Sequence, residues 1–433
     1  MNEQPRAAEY PSQVRHRIIA VSVLMAFTLY VDRLCLAEIF KSELFLNDVR
    51  VSRNEMGDIL GAFFWAYALM QVPSGWISDR FGARRMLTFY IFAWSAFTGL
   101  TGFMSTATGF FLARVGVGIA QAGAYPTSSG VIRCWFPLRQ RGRASSLVSL
   151  GGRIGGTVAT GLTTLMLGLL SGWRPTLWVY CCFGWGVAVL YWWIVRDRPE
   201  DHPDCNQSER QQIGVPVDGQ PVQFHEILRM LGSFCRHRGL WMNSLVQFCI
   251  NVGWAYLVTW LPTYLKESGG VSDRQGALMM TIVMSSGMFG QVFGGWLTDY
   301  SARRFGLRFG RGVPVFLACF TAGTAYVSCP MISNIWGIVA CCCVVSLMTD
   351  VGNPSSWAFM QDIGGKSTSA VYGWGNMWGN FGAAFIAILV PRLLSWGESA
   401  GYGNQPVFFV CGGAFFLAAF AALAMDATRQ VTA

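Results

Sequence analysis

The sequence predicts an all-α membrane protein with twelve transmembrane helices in two six-helix halves. Three observations support this prediction. The 433 residues are 53% hydrophobic and only 13% charged, whereas soluble domains average about 25% charged residues. Apolar runs of about 20 residues, the length that spans a bilayer, recur along the chain. A short motif also recurs at corresponding places in the two parts of the sequence.

Six apolar runs make up the predicted N-terminal half, residues 1–195, and six make up the C-terminal half, residues 239–433. The first six lie near residues 18–37, 56–77, 86–106, 109–131, 145–170 and 176–195. The others lie near residues 241–264, 276–298, 313–332, 335–360, 369–393 and 405–425. Residues 196–238 are rich in Asp, Arg, Gln and Pro and are predicted to form a central loop.

The loops predict the orientation. Arginines gather between spans two and three, four and five, and eight and nine: Arg80, Arg84, Arg85, Arg133, Arg139, Arg141, Arg143, Arg303, Arg304, Arg308 and Arg311. Because basic loops stay cytoplasmic, both termini and the central loop are predicted to be cytoplasmic, in a cell inner membrane. The topology accounts for the net charge of +9 without a nucleic-acid partner.

An internal repeat supports the division into halves. Gly75-Trp-Ile-Ser-Asp79 recurs as Gly295-Trp-Leu-Thr-Asp299, and each copy ends a hydrophobic span and opens a basic loop. The first copy continues as Arg80-Phe-Gly82-Ala-Arg84-Arg85. This segment resembles the loop motif between helices 2 and 3 of the major facilitator superfamily. The resemblance covers nearly the whole chain and implies the major facilitator fold and transport by alternating access.

The resemblance also implies a mechanical role for the repeat. Asp79 would lie near the positive end of a helix in the other half and pair with loop arginines. Such contacts would form in one conformation and break in the other. The predicted gating residues are Asp79, Arg80, Arg84, Arg85, Arg143, Asp299 and Arg303. The alternative is an arginine loop that sets only the topology.

Five ionisable side chains lie inside the predicted spans: Asp32, Arg33, Arg114, Arg153 and Asp350. A charge at the bilayer centre costs at least about 2.5 kcal/mol. Each of these groups therefore needs a wet cavity, a partner or a ligand. Three positive and two negative charges leave an excess of one positive charge, and an anion is its simplest partner.

Three local patterns narrow the resemblance. The first is Tyr30-Val-Asp32-Arg33 in the first span. The second is Arg114 in the fourth span, followed by Trp135-Phe-Pro and then by Arg141-Gly-Arg143-Ala in the next loop. The third is Trp260-Leu-Pro-Thr-Tyr264 in the seventh span. As a set they resemble the anion:cation symporter family, which includes galactonate and hexuronate transporters, sialin and the vesicular glutamate transporters. By this resemblance Arg33 and Arg114 would hold the substrate carboxylate, as suits a planar guanidinium. The alternative is that each arginine only neutralises a neighbouring acid.

One position departs from the family pattern. Many members carry a glutamate where this chain has Gln121, and that acid is thought to load and release the coupling proton. Glutamine cannot titrate. If transport is coupled to protons, Asp32 or Asp350 would then carry the proton. If it is not, facilitated diffusion, exchange and sodium coupling stay open.

Two further charges extend the predicted site. Arg153 is predicted to be a third anion contact, with snorkelling to the cytoplasmic edge as the alternative. Asp350 precedes Pro354 in the tenth span, and such helix breaks mark cavity-lining helices in transporters. We expect Asp350 to pair with Arg114 or Arg153 in the empty site, so that substrate competes for the arginine.

Aromatic and amide side chains complete the predicted substrate site beside Gln121. They are Tyr30, Tyr67, Trp254, Tyr256, Trp357, Trp374, Asn376 and Asn380. Such a wall suits a small organic anion that carries hydroxyl groups, a sugar acid or another carboxylate. An organophosphate–phosphate exchanger is the alternative, and a transporter-like membrane sensor is disfavoured because its loops would be longer.

The sequence predicts no enzyme, because no nucleophile–base pair or metal-ligand cluster occurs at workable spacing. No cofactor and no metal are expected. The expected partners are a small organic anion, the lipid bilayer and, if transport is coupled, a proton or sodium ion. The protein is expected to act as a monomer.

Overall fold

The computed structural model describes residues 10–214, 226–267 and 270–431. All regular structure in these residues is helical. The N-terminal half comprises α1 (Val14–Ile39), α2 (Glu43–Leu46), α3 (Arg53–Phe81), α4 (Ala83–Thr101), α5 (Ala107–Ala122), α6 (Ala124–Trp135), α7 (Arg141–Leu170) and α8 (Trp173–Ile194). The predicted fourth span is thus divided into α5 and α6. The division falls at Gly123, where a side chain would collide with the ring of Tyr90.

The rest of the chain begins with two short helices and continues with the C-terminal half. The elements are α9 (Gln207–Ile213), α10 (Ile227–Arg236), α11 (Arg238–Thr259), α12 (Leu261–Glu267), α13 (Asp273–Ser328), α14 (Ile335–Ile363), α15 (Thr368–Ser399) and α16 (Gln405–Leu423). The long α13 contains the eighth and ninth predicted spans. They join at Gly306, whose φ of 72° is accessible to glycine without strain. The predicted seventh span bends by 46° between α11 and α12.

Composition alone identifies fewer spans than the fold contains. Within the described residues, seven helices are long and apolar enough to cross a membrane, or eight if the bent pair α11–α12 is one span. Because α13 is counted as one of these helices but contains two spans, it raises the number of spans by one. The helices α3 and α4 and the pair α5–α6 complete the set of twelve.

The central loop is tied to the start of the first helix. Gln13 gives α1 no side-chain cap. Glu209 of α9 accepts hydrogen bonds instead from the hydroxyl of Ser12 at 2.6 Å and from the backbone N–H groups of Val14 and Arg15 at 2.9 and 3.1 Å. Burial opposes ionisation, yet these bonds lower the pKa of Glu209. Residues 215–225 of the predicted central loop lie outside the described residues.

The two halves meet along two seams, one between α3 and α15 and the other between α7 and both α13 and α14. The glycines that open the repeated motif allow this approach. A side chain at Gly75 would collide with the backbone of Ser369, and one at Gly295 would lie 2.6 Å from Cβ of Ser146. Close backbone approach through small residues is a common way of packing membrane helices. Each copy of the motif therefore lies against the opposite half.

Candidate substrate site

Arg33 is the centre of a polar and aromatic cluster in the N-terminal half. Its guanidinium carbon lies 4.9 Å from the ring centroids of Tyr30 and Phe63 and 4.5 Å from that of Tyr67. Contact with aromatic faces stabilises a cation that is withdrawn from water. Nε of Arg33 donates to Oε1 of Gln121 at 3.2 Å, whereas Nη2 is buried without an acceptor in the described part of the chain. Arg33 therefore retains an unused donor.

Gln121 holds this guanidinium without neutralising it. Its Oε1 accepts from Arg33, and its Nε2 donates to the carbonyl oxygen of Leu29 at 3.1 Å. The residue is completely buried. These partners assign the oxygen and nitrogen of the amide. An ionised glutamate at this position would keep the acceptor, lose the donor and add a charge beside Arg33.

Arg114 lies behind Arg33 and not beside it. Its Nη2 donates to the backbone carbonyl oxygen of Arg33 at 3.0 Å, and the residue is only 2% exposed. Asp32 is equally buried and is turned towards Trp94 and Ser95 of α4, within electrostatic reach of Arg114. The predicted pair of Arg33 and Arg114 thus does not present two accessible guanidinium groups in this conformation. No ion pair between Arg114 and Asp32 is present in the described residues, and both carboxylate oxygens of Asp32 are buried there without a hydrogen-bond partner.

An ion pair joins the halves. Nη2 of Arg153 on α7 donates to Oδ1 of Asp350 on α14. The guanidinium carbon of Arg153 also lies 5.0 Å from the ring centroid of Trp254. Gly287 makes room for the carboxylate, because a side chain there would collide with Oδ2 of Asp350. Of the two partners considered for Asp350 from the sequence, the structure contains Arg153, which bridges the seam and does not snorkel.

Aromatic rings from both halves meet next to these charges. The ring centroids of Tyr125 and Trp357 are 5.2 Å apart, and those of Trp357 and Tyr372 are 4.9 Å apart, both edge to face. Across the other seam, Nδ2 of Asn376 lies 3.5 Å from the hydroxyl of Tyr67.

Phe63, Tyr125 and Tyr372 were not predicted as site residues. Phe63 could have been found, because it lies one helical turn before Tyr67 and therefore shares its face. The second predicted amide, Asn380, donates from Nδ2 to the carbonyl oxygen of Asn376 at 2.8 Å.

Two predicted wall residues lie elsewhere. Trp374 packs edge to face against Phe234 and Trp241, with ring centroids 5.7 and 5.6 Å away. A step of two residues turns a helical side chain by about 200°, so Trp374 points away from the face that carries Asn376. Tyr256 is buried in another aromatic cluster, with Tyr326 and Phe408. We therefore leave Trp374 and Tyr256 out of the candidate site.

The carboxylate of the first repeated motif caps a helix of the opposite half. Asp79 accepts hydrogen bonds from the backbone N–H groups of Ser369 and Ala370, at 3.0 and 2.9 Å, in the first turn of α15. These N–H groups have no partner inside the helix, and the helix dipole favours a negative charge there. The contact exists only while α3 and α15 remain together.

The second motif repeats this geometry with α7. Asp299 accepts hydrogen bonds from the N–H groups of Gly142 and Arg143 at 2.9 and 3.1 Å. The side chain of Arg143 adds a contact, with Nε 3.9 Å from Oδ2 of Asp299. Nε of Arg303 donates to the backbone carbonyl oxygen of Asp299 at 3.2 Å. Arg143 thus lies beside the carboxylate of this copy, whereas Arg303 bonds the backbone of Asp299.

The arginines of the first copy are arranged differently. The backbone N–H of Arg84 donates to Asp197 at 2.8 Å, and its Nε donates to the carbonyl oxygen of Trp192 at 2.9 Å. Arg80 lies over the rings of its own helix neighbours, with the nearest centroid at 5.5 Å. Arg85 is exposed and has no ion pair or hydrogen bond in the described residues. The reversal at Gly82, with φ of 92°, starts a new helix that carries Arg84 and Arg85 towards α8.

A further charge network between the halves was not predicted. Asp362, near the end of α14, accepts hydrogen bonds from Arg141 at 2.7 Å and from Arg311 at 2.8 Å. Arg311 is completely buried and also donates to the carbonyl oxygen of Leu138 at 3.1 Å. Arg133 donates to the carbonyl oxygen of Gly365. Together with the two caps, these contacts hold the halves together at the end that bears the arginine loops.

Comparisons with known proteins agree on one family. The pattern described as the Major Facilitator Superfamily matches residues 22–387. A probable sulfoacetate transporter of Cupriavidus necator is 30% identical over 376 residues, which cover 86% of this chain and 85% of that protein. A probable galactarate/D-glucarate transporter of Escherichia coli is 28% identical, over 95% of this chain and 93% of that protein. A D-galactonate transporter of Escherichia coli is 26% identical, over 93% of each.

Solved structures share the fold at much lower identity. The fucose:proton symporter of Escherichia coli superposes with a TM-score of 0.73 at 12% identity, over 95% of this chain and 98% of that one. The human organic anion transporter superposes with a TM-score of 0.71 at 14% identity, over 97% of this chain and 100% of that one. At these identities the likeness shows the fold alone.

Proposed function

The chain belongs to the major facilitator superfamily, and we propose that it carries a small organic anion, a sugar acid or another small carboxylate, across a bacterial inner membrane. The relatives named above as transporters of sulfoacetate and of sugar acids support this substrate class. We further propose that the halves 1–195 and 239–433 rock about the site. Both termini and the central loop would then face the cytoplasm.

The observation that carries the proposal is the state of Arg33. This guanidinium is half-buried, is surrounded by Tyr30, Phe63 and Tyr67, and has a donor without an acceptor in the described residues. A buried cationic donor with no partner is costly unless a ligand satisfies it. A carboxylate would accept from Arg33 while its apolar or hydroxylated remainder contacts the rings.

The ion pair of Arg153 and Asp350 couples binding to movement in this proposal. Because it bridges the two halves, a substrate carboxylate that takes Arg153 would remove a contact between them. The released Asp350 would then be a buried carboxylate without its cation, a state that is strongly unfavourable. Asp350 would leave this unfavourable state by binding a proton or by moving. Asp350 is therefore our first candidate for a coupling residue, and Asp32 is the second.

The coupling ion stays open in the proposal. Gln121 cannot exchange a proton, and its two hydrogen bonds give it a structural role. Proton coupling would use Asp350 or Asp32, and sodium coupling, exchange and facilitated diffusion stay open as alternatives. Gating is assigned to the caps made by Asp79 and Asp299, assisted by Arg143 and Arg303.

The test is substrate binding by purified protein and by a variant that removes one charge. A panel of sugar acids, small sulfonates, dicarboxylates and sugar phosphates is screened for thermal stabilisation, since a ligand at 100 times its Kd adds about 2.7 kcal/mol of stability. We expect hits among the carboxylates, and we expect Arg33→Gln to abolish the shift.

The matched control is Arg139→Gln, which removes the same charge from an exposed loop position and should bind normally. Hits should then be followed by uptake into proteoliposomes across a range of pH and sodium concentration. Stabilisation that is unchanged in Arg33→Gln, or that comes only from neutral or cationic solutes, would refute the proposed site. Stabilisation only by phosphorylated sugars would favour the exchanger.

A further inference from the structure

A second feature of the molecule lies outside the central site, on the outer surface between α4 and α8. A groove of about 400 Å³ is lined there by Arg85, Phe89, Phe92, Val189, Trp192 and Trp193, among others. Most of its wall is apolar and exposed: Phe89 is 58% exposed, Val189 51% and Trp193 70%. The central substrate site uses none of these residues.

One end of the groove is strongly basic. Arg85 lies in the first turn of α4, next to Arg84, whose guanidinium carbon is 3.9 Å from the ring centroid of Trp192. Arg196 donates to the carbonyl oxygens of Trp192 and Trp193, so it stays at the same end of α8.

The acid beside these arginines is already engaged, because Asp197 accepts a hydrogen bond from the backbone N–H of Arg84. Three guanidinium groups thus face one carboxylate. The end of the groove keeps a net positive charge.

The groove runs from this charged end into the apolar zone. Residues 85–92 span seven steps of an α-helix, about 10 Å along its axis. Trp185 continues the wall, because its ring stacks on Phe92 with centroids 5.0 Å apart. A ligand that fits has an anionic head at the arginine end and a hydrocarbon tail along the rings. This is the chemistry of an anionic phospholipid at a membrane interface.

We propose that the groove between α4 and α8 is a specific site for one anionic phospholipid, whose phosphate is bound by Arg85 and Arg84 and whose acyl chain lies along Phe89, Phe92 and Val189. This assigns Arg85 a role different from the gating role predicted from the sequence. Because α4 follows Gly82 directly after the motif that ends in Asp79, bound lipid would also steady the start of α4 beside the first gate.

The test uses native mass spectrometry of the full-length protein in detergent, with phosphatidylglycerol and phosphatidylcholine of matched chains added at equal concentration. We expect a preference for phosphatidylglycerol that falls about fivefold in Arg85→Gln, the factor expected for about 1 kcal/mol per basic residue. Arg304→Gln is the matched control, since Arg304 is an exposed arginine of the other half, in α13 and outside the groove. It should keep the full preference.

A second variant tests the groove without changing its charge. Val189→Trp fills the apolar channel and leaves the arginines in place, and we expect it to reduce phosphatidylglycerol retention several-fold. Equal binding of the two lipids by the unmodified protein would overturn the proposal, and so would equal losses in Arg85→Gln and Arg304→Gln. Normal retention by Val189→Trp would overturn the acyl-chain site. A dimer that dissociates in Arg85→Gln would assign the surface to a second copy of the chain instead.

Discussion

The two halves of the candidate substrate site have related folds but opposite charge. The N-terminal half supplies three guanidinium groups, Arg33, Arg114 and Arg153, and one carboxylate, Asp32. The C-terminal half supplies Asp350 and side-chain amides such as Asn376. The only ion pair described between these five charges across the halves is that of Arg153 and Asp350. On the proposed function, this difference separates two tasks: one half would bind the anion, and the other would hold the charge that this anion must displace.

The largest expected effect comes from the two buried opposite charges beneath Arg33, Arg114 and Asp32. Arg114→Gln should abolish uptake, because the backbone of Arg33 loses a hydrogen bond and the buried Asp32 loses the attraction of this positive charge. Because a buried charge without compensation is unfavourable, thermal stability should fall as well. Measurements of uptake and of the unfolding temperature check this expectation.

The double variant Asp32→Asn/Arg114→Gln distinguishes a structural role from binding. If Arg114 is mainly the counter-charge of Asp32, the double variant should regain most of the stability. Uptake should recover with it only if Arg114 makes no contact with substrate. Normal uptake by the single variant would contradict the role of Arg114 altogether.

The next effect concerns the charge of the C-terminal half. Asp350→Asn removes the internal competitor for Arg153, so the anion should bind about tenfold more tightly, while turnover slows because the empty site loses its bridge between the halves. Titration of binding and uptake assays over a range of pH provide the measurements. Asn353 lies one turn along α14 and donates to the hydroxyl of Ser149 at 3.3 Å, so Asn353→Ala serves as a neutral control. Unchanged affinity and unchanged pH dependence in Asp350→Asn would remove this residue from the mechanism.

How far the sequence alone leads can be judged from these same residues. The fold and the family are confirmed, because long apolar runs and a repeated motif depend only on the order of residues along the chain. The prediction that the chain is a transporter is also confirmed by its relatives. The breaks at Gly123 and between α11 and α12 were missed, since they depend on what packs against those helices.

Contacts between distant segments were the hardest to predict. Asp362 and Arg311 are 51 positions apart, and Asp362 reaches Arg141 over 221 positions. No local pattern shows such a network; it requires the arrangement of α7, α13 and α14 in space. Trp374 lies apart from the other predicted wall residues for a simpler reason, because it is two residues from Asn376 and therefore on another face of α15.

A smaller effect, about tenfold in uptake, is expected at Gln121, whose uncharged amide bonds Arg33 without neutralising it. In Gln121→Glu an ionised carboxylate would compete with substrate for Arg33, so uptake should be weak at high pH. Protonation restores a neutral donor and acceptor, so uptake should rise as the pH falls. The control Gln121→Met removes the same hydrogen bonds without adding an acid and should show no new pH dependence. A flat profile in Gln121→Glu would show that this position does not face Arg33 during transport.

The smallest effect compares the two gates. Asp79→Asn and Asp299→Asn each weaken a cap worth about 0.5–2 kcal/mol. The seam at Asp299 keeps several other bonds, including those of Ser146 to the carbonyl oxygen of Gln291 and of Gln361 to Ser145. Near the seam at Asp79, the described bonds between the halves are that of Arg133 to the carbonyl oxygen of Gly365 and the long one at Asn376.

Asp79→Asn should therefore release its seam more. Hydrogen exchange measures this directly: amides at the start of α15 should exchange several-fold faster in Asp79→Asn, and those at the start of α7 only slightly faster in Asp299→Asn. Each variant is the control for the other, because each should leave the opposite helix start protected if the seams open independently. Equal acceleration at both helix starts in either variant would mean that the seams open together, and the asymmetry between the halves would then be confined to the candidate substrate site.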